Sequence, residues 1–225
     1  MLIKNWMNKT VVNVDANDHV LEALKLIKIH KVHLLPVTKD GELVGVITDR
    51  DMEKALASHA DLGDKRAPSE KKSIIKVRDA MTKNPVMVPM DGNVEEAAEV
   101  LLKHNIPSVL VTHHDGEVAG TFSQSDGLNA LITVTGIKKK GIQFALQVED
   151  HPGAAKEAQD IIRKYGGRIA SVLVSDERVP EGYRRIYIRM VGIDRFKLRR
   201  LKEDLGKIGD LLYTVERLDF TEGID

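Results

Sequence analysis

Hydrophobic and polar positions over the first 135 residues form one pattern that is written twice. A β-rich run, Val11 to Val14, gives way to Asp/Asn turn residues. Val20, Ala23, Leu24 and Ile27 then recur at spacings of three and four, which predicts a helix with one buried face. Two further β-rich runs follow, Leu34 to Thr38 and Leu43 to Thr48, around Lys39-Asp40-Gly41-Glu42. Asp-Gly between such runs is a strong hairpin signal, and a closing helix is predicted from Asp49. The second copy supplies Val86 to Val88, then a helix carrying Val94, Ala97, Ala98 and Leu101, then Ser108 to Thr112 and Val118 to Ser123 around an Asp115-Gly116 turn. A helix from Gln124 closes it, and a short apolar helix leads into each copy, Ile3 to Met7 and Val77 to Met81.

Sliding the chain by 74 places Met7 on Met81, Val14 on Val88, Ala23 on Ala97 and His30 on His104. Past the hairpin turn the offset is 75, so Gly45 falls on Gly120, Thr48 on Ser123 and Asp51 on Asp126. The extra residue sits in a turn, where insertion costs least. Two copies make a pair of modules and not a solenoid, which needs at least three repeats. Such a pair tends to pack about a pseudo-twofold axis, with equivalent segments meeting across a shared cleft. Residues 58–73, rich in Asp, Lys, Gly, Pro and Ser without period, read as a surface linker.

After Lys140 the period changes. Ile142, Phe144, Leu146 and Val148 alternate as in a half-buried strand. Asp150-His151-Pro152-Gly153 turns into a helix with Ala154, Ala158, Ile161 and Tyr165 on one face, ended by Gly166-Gly167. Strands Ile169 to Val174 and Arg185 to Val191, a helix carrying Leu198, Leu201, Leu205 and Ile208, and a strand Leu211 to Leu218 complete βαββαβ, the ferredoxin-like order. The expected fold class is therefore mixed α/β (α+β), with segments 1–68, 69–137 and 138–225 as three successive domains.

Composition narrows the function classes. At 42% hydrophobic and 30% charged the chain is globular, and no apolar run approaches the roughly 20 residues of a membrane span. Cysteine is absent, which removes disulfides, thiolate metal sites and a Cys nucleophile and fits a cytoplasmic location. Basic and acidic residues number 34 each, and 15 each within residues 141–225, so neither part has the basic surplus of a nucleic-acid binder. Lys138-Lys139-Lys140 reads as a solvated linker and His113-His114 as a solvated turn. No metalloprotease, Walker, nucleophile-elbow or dinucleotide motif occurs, and no metal ligand set is expected.

The recurring Thr48-x-x-Asp51 and Ser123-x-x-Asp126 carry two compatible readings. One is a capping box, hydroxyl at the N-cap and carboxylate three residues on. The other uses the same helix start as a phosphate cradle, with the carboxylate accepting a ribose diol. The copies diverge nearby: Arg50 stands opposite Ser125, Lys31 opposite Asn105, His33 opposite Pro107 and Pro36 opposite Leu110. Cations favour phosphate, so two inequivalent sites are expected, with more phosphate charge near Arg50.

Together, His30 to Val37 followed by Gly45-Val46-Ile47-Thr48-Asp49-Arg50-Asp51 resembles a cystathionine-β-synthase (CBS) domain, and residues 1–135 resemble a tandem CBS pair, or Bateman module. The resemblance implies an adenosine ligand as effector in the cleft between the units: AMP, ADP or ATP, in some members NAD or S-adenosylmethionine, with no cofactor required. Carried over by position, Asp51 and Asp126 would hold ribose, and Thr48 and Ser123 would lie near ribose and phosphate, with Arg50 and Ser125 counted among the nucleotide-binding residues. Thr10, Val11, Val12, Pro85, Val86 and Met87 would offer backbone groups to adenine, and His33, Pro36 and Pro107 are counted among the nucleotide-binding residues. Pro36 becoming Leu110 departs from the family's pattern. Residues 141 to about 220 resemble an ACT domain, which implies an amino-acid-like ligand near Asp150, His151, Gly153 and Ala154 and a homodimer. The same four residues also read as an ordinary strand-to-helix turn. The order CBS–CBS–ACT resembles the acetoin utilization protein B (AcuB) type, which implies a non-enzymatic regulator acting on a partner protein in acetoin or acetyl-CoA metabolism. The alternative is a dimeric scaffold with a vestigial cleft.

Overall fold

A computed structural model describes residues 1–60 and 75–216, in two compact units, Met1–Ala130 and Leu131–Asp225. The first unit holds both copies. The first copy runs β1 (Val14–Asp15), α1 (Val20–His30), β2 (Leu34–Lys39), β3 (Glu42–Thr48) and α2 (Asp49–Ala60). The second runs β4 (Met87–Pro89), α4 (Val94–His104), β5 (Ser108–Thr112), β6 (Val118–Ser123) and α5 (Gln124–Val134), with the short α3 (Val77–Ala80) before it. Each copy makes a three-stranded sheet, β1-β2-β3 and β4-β5-β6, whose first pair is parallel and second antiparallel.

Local chemistry explains the shared boundaries. Glu22 and Glu96, third in α1 and α4, accept the backbone N–H of His19 and Asn93 at 3.2 and 3.3 Å. Both helices end on a left-handed residue, Lys31 (φ 52°) and Asn105 (φ 51°). In the first hairpin Asp40 and Gly41 both have positive φ, 53° and 87°, as a tight two-residue turn requires. The observed first strands are shorter than the sequence suggests: β1 begins only at Val14, leaving Val11 and Val12 outside the sheet.

The lead-in segments change partners between copies. Ile3 is buried in the core of the second copy with Val94, Leu101, Val109 and Phe122. Ile75 and Val77 are buried in the core of the first with Val20, Leu35, Val37 and Met52. Two repeat-equivalent crossings fasten the exchange. Val46 N–H donates to Thr82 O at 3.0 Å and Thr82 N–H to Val46 O at 2.8 Å, while Asn8 and Thr121 exchange the same pair at 2.9 and 3.0 Å. The glycines beside them are required by this approach: a Cβ on Gly45 would lie 2.6 Å from Thr82 O, and one on Gly120 closer still to Asn8 O. Leu34 and Val46 of the first copy pack against Leu110 of the second, flanked by Leu43 and Val118, so the sheets meet through their β2–β3 and β5–β6 hairpins.

The second unit runs β7 (Ile142–Glu149), α6 (Ala154–Lys164), β8 (Arg168–Ser175), β9 (Tyr183–Val191), α7 (Arg195–Leu205) and β10 (Asp210–Glu216). Its sheet is antiparallel throughout in the order β10-β7-β9-β8, the ferredoxin-like arrangement expected. Phe144, Leu146, Ile186 and Ile188 pack beneath Ala158, Ile162, Leu201 and Leu205 of the helices. Of the linker expected at 58–73, Ser58 belongs to α2, where its Oγ donates to Lys54 O at 2.7 Å. Positions 59 and 60 also fall within α2, while positions 61–73 of that linker, and positions 217–218 of the last expected strand, lie outside the described residues.

Candidate ligand cleft between the two copies

At the start of α2, Asp51 Oδ2 accepts Thr48 N–H at 3.0 Å and Thr48 Oγ1–H at 2.7 Å, and Asp51 N–H points back to Thr48 Oγ1 at 3.3 Å. Ser123 and Asp126 repeat this at the start of α5, at 2.8, 2.6 and 3.3 Å. The capping reading thus holds in both copies, and it occupies one oxygen of each carboxylate. No hydrogen bond from a described residue reaches either Oδ1. Each aspartate is partly buried, with one oxygen fixing its orientation and the other available to a hydroxyl or diol.

A cleft of about 250 Å³ opens beside Thr48, Arg50 and Asp51. Its facing wall comes from the second copy: Asn84, Pro85 and Val86 before β4, and Asn105, Ile106 and Pro107 after α4. Leu34, Val46, Thr82 and Ser108 complete the lining. The swapped lead-in segment makes this possible, since the Thr82 crossing on Val46 carries Asn84 to Val86 across the first copy's helix start. Only Arg50 and Asp51 carry formal charge in the lining. The volume is just under the about 300 Å³ that opens the usual range for small-molecule sites, and the exposed Arg50 stands in the lining.

Six residues singled out from the sequence therefore lie together: Thr48, Arg50, Asp51, Pro85, Val86 and Pro107. Seven others, Thr10, Val11, Val12, His33, Ser123, Ser125 and Asp126, occupy the repeat-equivalent positions. His33 stands 4.0 Å from the Asp49 carboxylate. Two expected residues stand apart from the lining: Pro36 is buried within β2, paired with Val46, and Met87 lies on the exposed side of β4. Asn84 and Ile106 line the cleft without having been singled out. Their signal was available as the positions equivalent to Thr10 and Val32.

In the second unit Asp150 is engaged by Arg184 at 2.6 Å and its N–H donates to Gly182 O at 2.8 Å. His151 lies 4.0 Å from Glu157, Gly153 caps α6 at φ 100°, and Ala154 is buried. These four residues form the predicted turn. Two cavities of about 280 and 350 Å³ lie at the opposite end of β7 and β9, near Gly141, Val191 and Arg168. Among the described residues no group of three or more His, Asp or Glu is placed to hold a metal ion, and no helix is long and apolar enough to cross a membrane.

Comparison with known proteins fits this geometry. The family model for the CBS domain matches residues 3–58 and again 77–133, the two copies each with a lead-in segment. A CBS domain-containing protein of Dictyostelium discoideum is 33% identical over 135 residues, covering 60% of this chain and 93% of that protein. The CBS-domain protein ATU1752 of Agrobacterium tumefaciens superposes with a TM-score of 0.51 at 26% identity, over 59% of this chain and all of that one. The CBS domain pair of protein MJ0100, solved with 5′-methylthioadenosine and S-adenosyl-L-methionine, is 27% identical with a TM-score of 0.49, over 58% of this chain and 95% of that one.

Proposed function

This chain belongs to the CBS domain family, and from that premise we propose that it is a ligand-sensing regulatory protein whose inter-copy cleft binds an adenosine nucleotide. CBS-domain pairs typically bind adenosine ligands in a regulatory role. The observation that carries the reading here is the division of labour within Asp51: one oxygen held by the Thr48 cap, the other without a donor among the described residues, beside a cleft walled by the opposite copy. A carboxylate oriented in this way is suited to a ribose 2′,3′-diol, and an N-terminal helix turn to phosphate. Pro85 and Val86 supply an apolar wall for a base. Asp126 with Ser123 provides the equivalent group for a second ligand.

The ferredoxin-like unit is the ACT-like part of this reading, with an amino-acid-like ligand or a second copy of the chain as its partner. The cap gives Asp51 and Asp126 a structural role in both copies, and the reading taken here is regulatory and not catalytic. In the AcuB-type assignment the output passes to a partner protein in acetoin or acetyl-CoA metabolism.

Calorimetric titration of the whole chain with AMP, ATP, NAD and S-adenosylmethionine, repeated on Asp51→Ala and Asp126→Ala, tests the proposal. Binding that is lost in one or both variants while the folded transition persists supports it. No heat with any of the four ligands leaves the two motifs as caps alone, and the chain as a dimeric scaffold.

A further inference from the structure

One end of the ferredoxin-like sheet gathers cations that the balanced charge of residues 141–225 conceals, and we propose that it is a further ligand site, for a small molecule carrying two phosphoryl groups. Two cavities of about 280 and 350 Å³ lie there, and Val191 lines both. Each holds a pair of cations, Lys140 with Arg195 in the first and Lys139 with Arg168 in the second. The one carboxylate in either lining is Glu216, which Arg195 engages at 3.2 Å. The side chains of Lys139 and Arg168 form no hydrogen bond or ion pair with a described residue. Arg168 lies against Gly192, where an added Cβ would stand 3.5 Å from its Nε, and Gly192 lines the first cavity, so this guanidinium borders both. Every lining residue belongs to the second unit, so the site needs nothing from the cleft between the copies.

The lysines belong to the run that reads in the sequence as a solvated linker, and the structure fixes that run at both ends. Ahead of it, Thr135 O accepts Ser171 Oγ–H at 2.8 Å and Nε–H of the buried Arg189 at 3.0 Å. Ile137–Lys139 then forms a short 3-10 turn. Lys140 follows at φ 57° and ψ −166°, a conformation essentially confined to glycine, and a non-glycine residue held there marks functional sites more often than ordinary turns. Gly141, at φ 105°, passes so close to Met190 O that no Cβ would fit. Lys139 and Lys140 are therefore presented from a set backbone beside β8 and β9. Two adjoining cavities, each with a lysine and an arginine fork able to take two oxygens, match two phosphoryl groups. Ile142 and Ile193 in the first cavity and Ile169 in the second give the ligand's carbon body an apolar floor. No aromatic side chain lines either cavity, so the stacking platform of a single-stranded nucleic-acid site is missing.

The experiment is calorimetry of the whole chain with pyrophosphate, inorganic phosphate and citrate, on wild type, Arg168→Gln, Arg168→Lys and Lys139→Gln. Pyrophosphate should bind wild type about tenfold or more tightly than phosphate or citrate. Arg168→Gln should weaken it about 10- to 100-fold, the range for a hydrogen bond to a charged group, and Arg168→Lys should restore part of the loss. Lys139→Gln should weaken it in the same direction, and added salt should do so in wild type, as exposed charges require. Both side chains are exposed, so the variants should unfold at the wild-type midpoint. Hydrogen exchange with pyrophosphate bound should show protection at 139–142 and 190–195. No binding of pyrophosphate to wild type, citrate or phosphate binding as tightly, affinity that survives Arg168→Gln, or protection confined to the first unit overturns the site. None of these results bears on nucleotide binding between the copies, which the titrations of Asp51→Ala and Asp126→Ala decide.

Discussion

Substituting one alanine for glycine at three positions should give two opposite signs. At Gly45 the added methyl would sit 2.6 Å from the carbonyl oxygen of Thr82, and at Gly120 closer to that of Asn8. Neither neighbour is a flexible side chain; each is a backbone group in a two-bond crossing, Val46 with Thr82 and Asn8 with Thr121. Relief requires the crossing segment to retreat, which loses two hydrogen bonds of about 1 kcal/mol each and adds overpacking of about 1 kcal/mol or more. The sum is about 2 to 4 kcal/mol, or a fall in the unfolding midpoint on the order of 10 °C. Gly127 is the control. It lies inside α5, where a Cβ would meet Phe122 no closer than 3.7 Å, so Gly127→Ala should stabilise by about 0.5 to 1 kcal/mol. Thermal and urea unfolding of the three variants measures this directly. Midpoints for Gly45→Ala and Gly120→Ala within a degree or two of wild type would refute the exchanged lead-in segments as the reason for these glycines.

Two further outcomes follow from the polar networks. Ser123→Ala removes the hydroxyl that both donates to Asp126 and accepts its N–H, and should cost about 1 kcal/mol in urea unfolding, the usual loss of an N-cap. In the second unit, Asp204 accepts from Lys207 at 2.6 Å, Tyr165 at 2.8 Å and Lys164 at 3.3 Å, and these bonds hold its carboxyl well below the usual carboxylate range. A depressed folded-state value means stabilisation that is complete above the unfolded carboxylate value of about 4 and is lost as pH falls through the folded value. Asp204→Asn should therefore melt below wild type at pH 7, with the gap closing below about pH 4, and a gap that widened in acid would contradict the assignment.

Periodicity and turn chemistry made most elements legible. Ser108–Thr112 and Val118–Ser123 are the strands that the β-rich runs around Asp115-Gly116 mark, and α2 and α5 begin where the hydroxyl and carboxylate spacing places them. Alternation in a strand and the spacing of an N-cap are local facts, set within a few residues. The partner of a lead-in segment is not local. Ile3 and Val77 are apolar for any core, and nothing in their own sequence says that Ile3 fills the second copy's core and Val77 the first's. The same limit affected Val11 and Val12, which have β-rich composition yet lie outside the sheet, where the equivalent Pro85 and Val86 line the cleft. Pro36 shows the converse: a residue grouped with the site by its motif is buried in a strand and shapes the sheet instead.

The exchange of lead-in segments is also what would make a ligand informative to the rest of the molecule. If Asn84 to Val86 had packed beside their own copy's helix start, each cleft would belong to one copy and its ligand would report only on that copy. Because Thr82 is pinned to Val46, the first cleft joins Asp51 of one copy to Pro85 and Pro107 of the other. A ligand there makes contacts whose strength depends on the register of the two copies. Such a ligand can shift that register only by its differential affinity for the two arrangements, with about 1 to 3 kcal/mol typical of coupled sites. The contacts able to differ are those on opposite walls, Asp51 and Arg50 against Pro85 and Pro107. A ligand held by Asp51 alone would stabilise the unit by mass action without biasing its form, whereas one that also reaches the facing wall would do both.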